Sequence, residues 1–397
     1  MTTTLSAPTA QELPTLARFM HYAFAGPVDG CLEWLNTHTP ANLRVVRDAA
    51  GAPASALAQI PMGQFFGGRS VPMVGIAGVA VPPERRGQGL GLDMMRACIR
   101  ELADRRVALS GLYASTKALY HQVGFGLAGH RVELKAPLDQ LGVRERGASI
   151  VALGDADEPA VRDCYSRFAR ATTGMLDRPE YIWKRTRDWR GQTYTGFGVR
   201  SDELGGAGLE GYVFLAQPPN PSRGKHDVVL SDLAFTSPRA ARRLLGFLAD
   251  FAMMASTVTF HGSPNHPLLA LTPQQVFTLT TRELWMTRIT HLESALTSRG
   301  YPAALSGRIT LEVEDDLIDA HRGAWDIRVE HSSASVLKGA GPGPIARVHI
   351  RELASLYSGL FTPVQARLAG LIDAGDEACE VLGAMFASGT PAMTDFF

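Results

Sequence analysis

The residues with the clearest chemical potential are Arg86, Gly89 and Gly91, in the run Arg85-Arg86-Gly87-Gln88-Gly89-Leu90-Gly91 between an apolar strand-like stretch and an amphipathic helix. A tight turn with few Cβ atoms lets several backbone N–H groups converge on one point, and the helix that follows adds the positive end of its dipole. That arrangement fits a pyrophosphate. A dinucleotide fold needs Gly-x-Gly-x-x-Gly after the first strand and an acidic residue about 20 positions on, which this chain does not supply. There is no Walker Gly-Lys-Ser/Thr either. On these residues alone a phosphate cradle and a plain structural turn stand equal. The four cysteines, Cys31, Cys98, Cys164 and Cys379, are too widely spaced for a zinc site or a disulfide framework, so no metal is expected. Cys98 falls near the apolar face of the helix after the glycines and reads as core rather than nucleophile.

Three groups of elements carry these residues. In the first, Thr9 and Glu12 form a capping box, and Leu13, Leu16, Met20 and Phe24 follow at helical spacing. Strand-like runs at Leu43 to Val46, Ser55 to Ile60 and Val71 to Val81 lead into the glycine loop. The next helix sets Leu92, Met95, Ile99 and Leu102 on one face. An apolar run from Val107 to Tyr113, a short segment with Tyr120 and a strand from Phe125 to Leu134 close the group. From about Ile150 a second group begins, and its stretch Val228 to Phe251 repeats the strand, turn and helix of the first. It has Thr236-Ser237-Pro238-Arg239-Ala240 where the first copy has glycines. The proline-rich stretch Gln217 to Arg223 reads as a loop insertion. After about Met286, Ile309, Leu311 and Val313 and then Trp325, Ile327 and Val329 alternate with polar residues, as in strands with one buried face. Helical stretches at Leu353 to Leu360, Pro363 to Ile372 and Glu377 to Phe386 follow. The chain stops at Asp395-Phe396-Phe397, an unusually aromatic tail.

A length of 397 residues predicts two to four domains. The 39 Lys and Arg balance 39 Asp and Glu, which leaves no global field for nucleic acid or an anionic membrane. The N-terminus lacks a secretory pattern, and the apolar run Val71 to Val81 is too short for a bilayer and is cut by Pro72, Gly75 and Gly78. A soluble cytoplasmic protein with no nucleic-acid or membrane partner is expected.

Over about residues 10–135 the strand, Arg86-x-x-Gly89-x-Gly91 loop and helix resemble the GNAT acetyltransferases. The resemblance extends to nearly the whole chain. A GNAT unit, a second one without glycines, an α+β tail like a sterol carrier protein and a terminal aromatic are together similar to the Eis (enhanced intracellular survival) subfamily. Supporting residues are Ala114-Ser115, Leu119 to Gly126, Arg178 to Trp183 and Asp395-Phe396-Phe397. The fold implied is α/β and α+β: a catalytic GNAT domain at 1–146, a degenerate one at 147–286, and a sterol-carrier-like domain at 287–397 whose C-terminus completes the active site. By the same resemblance, the backbone of Val79, Ala80 and Val81 binds the pantetheine arm of acetyl-coenzyme A. The loop residues Arg86, Gly87, Gln88, Gly89, Leu90 and Gly91 bind its pyrophosphate, with Ser115 and Thr116 also at the coenzyme. A homohexamer is implied as well.

Acetyl transfer to an amine of pKa near 10 needs the neutral form, about one molecule in a thousand at pH 7, a penalty of roughly 4 kcal/mol that a base helps offset. The resemblance makes Phe397 that base, through the terminal carboxylate, and Tyr120 the acid that protonates the departing thiolate. Burial beside Phe396 and its own ring would raise the pKa of a terminal carboxyl, ordinarily about 3.3–3.7. His121 is a rival to Tyr120. Expected substrates are primary amines of aminoglycosides or polyamine-like molecules, or protein lysines. Asp29, Glu33 and Asp395 are the acidic candidates at the acceptor site, with Trp34, Phe65 and Phe396 as apolar walls. The alternative is a non-enzymatic binding protein that carries an apolar ligand in the C-terminal domain or senses acyl-coenzyme A.

Overall fold

The capping box forms as expected: the Thr9 backbone N–H donates to the Glu12 carboxylate at 2.6 Å. It opens the helix α1 (Leu13–Phe24). Leu16, Ala17, Phe19 and Met20 are buried, whereas Phe24 is 57% exposed, in the turn that Ala25 ends with φ 55°. Residues 3–201, 206–220 and 224–397 are described by this computed structural model, so Pro221 to Arg223 of the proline-rich stretch lie outside the described residues. Helix α2 (Val28–Asn36) joins α1 over a core of Leu43, Val45, Ala56, Ala58 and Ala80. Strands β1 (Leu43–Arg47), β2 (Pro53–Phe66) and β3 (Arg69–Ala80) form an antiparallel meander. Helix α3 (Leu90–Asp104) then crosses over to β4 (Leu109–Tyr113), which is parallel to β3. A parallel neighbour requires such a crossover. Met94, Met95, Cys98, Ile99 and Leu102 of α3 are buried against Val46, Leu57, Val74, Ile76 and Leu112. Each large apolar side chain there contributes about 1.5–3 kcal/mol. The short helix α4 (Lys117–His121) and strand β5 (Gly126–Pro137) follow.

The chain folds as two compact units. One holds Met1–Gly129, Leu284–Gly389 and Phe396–Phe397; the other holds His130–Glu283 and Thr390–Asp395. In the second unit, β6 (Ile150–Ala152), β7 (Thr195–Arg200), β8 (Leu209–Ala216) and β9 (Lys225–Phe235) pair antiparallel in the order β6-β7-β8-β9. Helices α5 (Glu158–Arg170) and α6 (Glu180–Arg187) precede β7, and α7 (Pro238–Ala249) follows β9. Strand β10 (Ala255–Gly262) then pairs parallel to β9 and antiparallel to β5. The strand, helix, parallel-strand step of the first unit is therefore repeated, as the sequence repeat predicts.

His266 lies buried in this unit among the rings of Phe168, Phe235 and Phe260, and its Nδ1 accepts the Leu268 N–H at 3.3 Å. Burial lowers its pKa to about 4. The unfolded chain binds a proton near pH 6.5 that the folded one refuses, so stability is full above pH 6.5 and falls as the pH drops toward 4. The expected loss is about 3 kcal/mol. His266→Asn, which keeps an acceptor at the cap, should flatten that fall in urea titrations run across this pH range.

After β11 (Thr278–Ile289), whose Trp285–Ile289 segment pairs antiparallel with β4, the chain continues through α8 (Leu292–Ser298). Strands β12 (Gly307–Glu314), β13 (Gly323–Glu330), β14 (Ser333–Lys338), β15 (Ile345–His349) and β16 (Ile372–Ala374) form a separate sheet in the order β14-β13-β12-β15-β16. Ile309, Leu311, Ile327 and Val329 are buried, as their alternation with polar residues predicts. Helices α9 (Ile350–Ser358), α10 (Pro363–Leu368) and α11 (Asp376–Met385) complete the region. The expected helix over Pro363 to Ile372 is shorter: it ends at Leu368, Gly370 takes φ 70°, and Ile372 begins β16.

Candidate active site

The site is organised by a break in a parallel ladder. β3 and β4 pair only from Met73 opposite Leu109 to Gly75 opposite Gly111, yet β3 continues to Ala80 and β4 to Tyr113. Beyond Gly75 the two strands no longer exchange backbone hydrogen bonds, so β3 offers its N–H and C=O groups on that side to a ligand. Gly78 adds a bulge with φ 60°, and a Cβ there would lie 2.8 Å from Met20 and from Trp34. Val79 and Val81 are half-buried and Ala80 is buried.

Past Pro83–Arg85 comes the glycine loop, exposed from Arg86 to Gly89 and half-buried at Leu90 and Gly91. Gly87 (φ 77°) and Gly89 (φ 80°) take left-handed conformations that L side chains rarely adopt. Gly89 is the N-cap of α3, no side chain caps that end, and the first helical bond runs from the Asp93 N–H to the Gly89 carbonyl at 3.0 Å. The N–H groups of Leu90, Gly91 and Leu92 are thus left without intrahelical acceptors, a ready anion cradle. Arg86 braces the loop: Nε donates to the Val81 carbonyl and Nη2 to the Tyr22 carbonyl, both at 3.2 Å.

Two candidate groups meet the end of β4. Ser115 hydrogen-bonds the Tyr120 phenol on α4, whose ring packs edge-on against Phe125 at 5.9 Å. Tyr120 is 6% exposed, and burial raises its pKa, an effect the Ser115 hydrogen bond partly opposes. Two residues before Ser115, Tyr113 stacks on Phe396 at 4.7 Å between ring centroids and faces Phe397 at 5.8 Å. Phe397 is 7% exposed, and its ring rests on Gly75, where a Cβ would lie 2.6 Å from it. The Phe397 side chain therefore occupies the point where β3 and β4 diverge. Gly75→Ala should displace the ring, at a cost of about 1–3 kcal/mol in stability. A melting curve checks this, with a lowered midpoint as the expected result.

Thr116 is the N-cap of α4, four residues before Tyr120. His121 is half-buried, and burial, with the Arg351 charge next, lowers its pKa. Cys98 is fully buried, and burial pushes its thiol up to about 12, which removes it as a nucleophile. Asp29 and Glu33 are exposed on α2, where Trp34 packs edge-on against His38 at 4.5 Å. Phe65 and Asp395 differ from expectation. Phe65 is 2% exposed inside β2 and forms core, and the Asp395 carboxylate is buried in an ion pair with Arg178 at 2.9 Å. Tyr113 and Gly75 were not singled out for the site; the only sign of Gly75 in the sequence is that it interrupts an apolar run.

The second copy of the strand, turn and helix has no equivalent cradle. Ser237 Oγ accepts the Ala240 N–H at 3.1 Å, Pro238 removes one donor, and Glu210 accepts from Ser237 and Arg239 beside the same helix end. An anion there would meet a filled cap and a carboxylate.

Residues 4–128 match a family model described as an acetyltransferase (GNAT) domain, residues 174–289 match a second GNAT model, and residues 292–394 match a sterol carrier protein domain. An uncharacterized N-acetyltransferase of Streptomyces avermitilis is 27% identical over 323 residues, 77% of this chain and 76% of that protein. The N-acetyltransferase Eis of Mycobacterium tuberculosis is 29% identical over 206 residues, 46% of this chain and 49% of its own length. A GCN5-related N-acetyltransferase of Anabaena variabilis superposes with a TM-score of 0.93 at 28% identity, covering 99% of this chain and all of that one. Eis1 of Mycobacterium abscessus shares the fold, with a TM-score of 0.80 at 19% identity over the full length of both chains.

Proposed function

Starting from a chain that is an Eis-like N-acetyltransferase of the GNAT superfamily with a sterol-carrier-like C-terminal domain, we propose that it acetylates primary amines of aminoglycosides or polyamine-like molecules by direct transfer, with the terminal carboxylate of Phe397 as base and Tyr120 as acid. The observation that carries this reading is the seat of the Phe397 ring on Gly75, at the divergence of β3 and β4. Acetyl-coenzyme A is the co-substrate that GNAT domains use. In this reading the backbone of Val79 to Val81 pairs with its pantetheine arm, and the N–H groups at Gly87 to Leu92 take the pyrophosphate.

The amine nitrogen attacks the thioester carbonyl carbon, an N–C bond forms and the C–S bond breaks. The proton lost by nitrogen goes to the Phe397 carboxylate, and the departing thiolate takes the Tyr120 proton. Burial supports the acid role, because a phenol with a raised pKa stays protonated throughout the working range. The inertness of Cys98 supports transfer in a ternary complex over an acyl-enzyme. Asp29 and Glu33, exposed on α2 beside Trp34, supply negative charge for a cationic acceptor. Protein lysines present the same amine on a flexible stem and are a second acceptor class. A cytoplasmic homohexamer accompanies this reading and is measured by light scattering. The proposal is tested by thiol release with a panel of amines: acetylated aminoglycoside or polyamine is the expected product, and turnover with none of them sinks the assignment.

A further inference from the structure

Arg288 of β11 carries a cation into the interior of the first unit, where its side chain is 0% exposed and that of its partner Asp315 is 1% exposed. Nη2 donates to both carboxylate oxygens, at 2.8 and 2.6 Å. Asp315 is itself held by three further donors. Its Oδ1 accepts the Leu317 and Ile318 N–H groups at 2.9 and 3.1 Å, and its Oδ2 accepts from His321 Nδ1 at 2.8 Å. The Leu292 N–H donates to His321 Nε2 at 3.2 Å, which places the ring proton on Nδ1, facing the carboxylate. The guanidinium is thus anchored through one nitrogen. Nε and Nη1 have no hydrogen-bond partner among the described residues, and it is their edge that lies against Gly124. A Cβ on Gly124 would stand 2.8 Å from Cζ, 2.9 Å from Nη1 and 3.0 Å from Nε.

Gly124 ends the short helix α4, four residues after Tyr120. It takes φ 82°, its N–H donates to the His121 carbonyl at 3.0 Å, and the Val123 and Phe125 N–H groups both donate to the Tyr120 carbonyl at 3.1 Å. A left-handed glycine here turns the chain back onto the last helical carbonyls. A helix of five residues has too few internal bonds to hold itself, so its place is set by what it packs on. An apolar side chain would fill the space beside Gly124 without burying unpaired donors, so the arginine is not there for stability alone. What it supplies is a flat, rigid edge of fixed orientation. We propose that Arg288, oriented by Asp315, is a positioning residue for the reaction: its planar edge is the floor on which the Gly124 turn rests, and it thereby fixes where the Tyr120 phenol stands. The inference rests on the reading of Tyr120 as the acid. Proton transfer needs that oxygen within hydrogen-bond reach of the departing sulfur, so a small displacement of α4 is felt in kcat.

The test compares Arg288→Lys, Gly124→Ala, Tyr120→Phe, and each of the first two combined with Tyr120→Phe, in the full-length protein. Arg288→Lys keeps the charge that neutralises Asp315 and removes the planar edge. Gly124→Ala keeps the arginine and drives a methyl group into it, so the floor is disturbed from either side, and should one variant fail to fold the other decides. The expected result for both is a fall in kcat of about tenfold with the acetyl-coenzyme A KM unchanged. Neither should lower kcat further once Tyr120 is Phe, because each acts through the group already removed. A mere loss of folded protein would instead lower kcat by the same factor in both backgrounds. Wild-type kcat in either folded variant, with Tyr120→Phe impaired, overturns the positioning role and leaves the acid in place. A loss that adds in full to that of Tyr120→Phe overturns it too, as does failure of both variants to fold, which would mark a determinant of the fold only. Wild-type turnover in Tyr120→Phe overturns the acid itself.

Discussion

Deleting Phe397, or extending the chain past it with a short tag, is expected to lower kcat at least about a hundredfold while acetyl-coenzyme A still binds with wild-type affinity. The two variants fail differently. Deletion takes away the ring that rests on Gly75 and faces Tyr113, together with the carboxylate it carries. Extension keeps the ring and converts the carboxylate into a peptide carbonyl, which accepts no proton at working pH. Agreement between them isolates the carboxylate from the packing. Coenzyme affinity should survive both, because the groups assigned to the coenzyme, the Val79 to Val81 backbone and the Arg86 to Gly91 loop, come from residues that neither variant changes. Calorimetric titration with coenzyme A beside the kinetics checks the pair, and a tagged protein with full turnover counts against the base.

Tyr120→Phe removes a single oxygen and is expected to lower kcat by about 10²-fold with little change in coenzyme affinity. The Ser115 hydroxyl is exposed and then turns to water, so the melting curve is expected to change little and the kinetic effect stands apart from stability. The pH dependence follows from burial. With its pKa raised above 10, the phenol is protonated across the working range, and the alkaline limb assigned to it should lie above pH 10. A limb near pH 7 that survives Tyr120→Phe but vanishes with His121→Ala would transfer the acid role to His121.

Much of this arrangement is legible in the sequence because it is local. The glycine run, the amphipathic α3 and the apolar β3 are contiguous, and their spacing alone predicts a strand, tight turn and helix, with the anion-binding role of the turn supplied by the family resemblance. The loss of the cradle in the second copy is equally local, since Ser237-Pro238 caps and shortens the donor set by residue type. The roles of Asp395 and Phe65 were not legible. Asp395 looks like a free acid near the chain end, and its partner Arg178 stands 217 residues away, so only the folded chain reveals that the charge is consumed. Phe65 lies on a strand buried along both faces near its end, where alternation gives no sign of which ring meets a cleft. The tail's aromatic excess was visible, but its seat on Gly75 depends on the β3–β4 register, which spans the α3 crossover.

The central claim is that an amine accepts the acetyl group directly. It is tested most directly by rapid mixing of the full-length protein with acetyl-coenzyme A, with and without amine, following free thiol and identifying products by mass spectrometry. The account predicts thiol release only when an aminoglycoside or polyamine is present, one acetylated amine per thiol, and no acetylated protein in the absence of acceptor. Stoichiometric thiol release without amine, leaving an acetyl group on the chain, would contradict it.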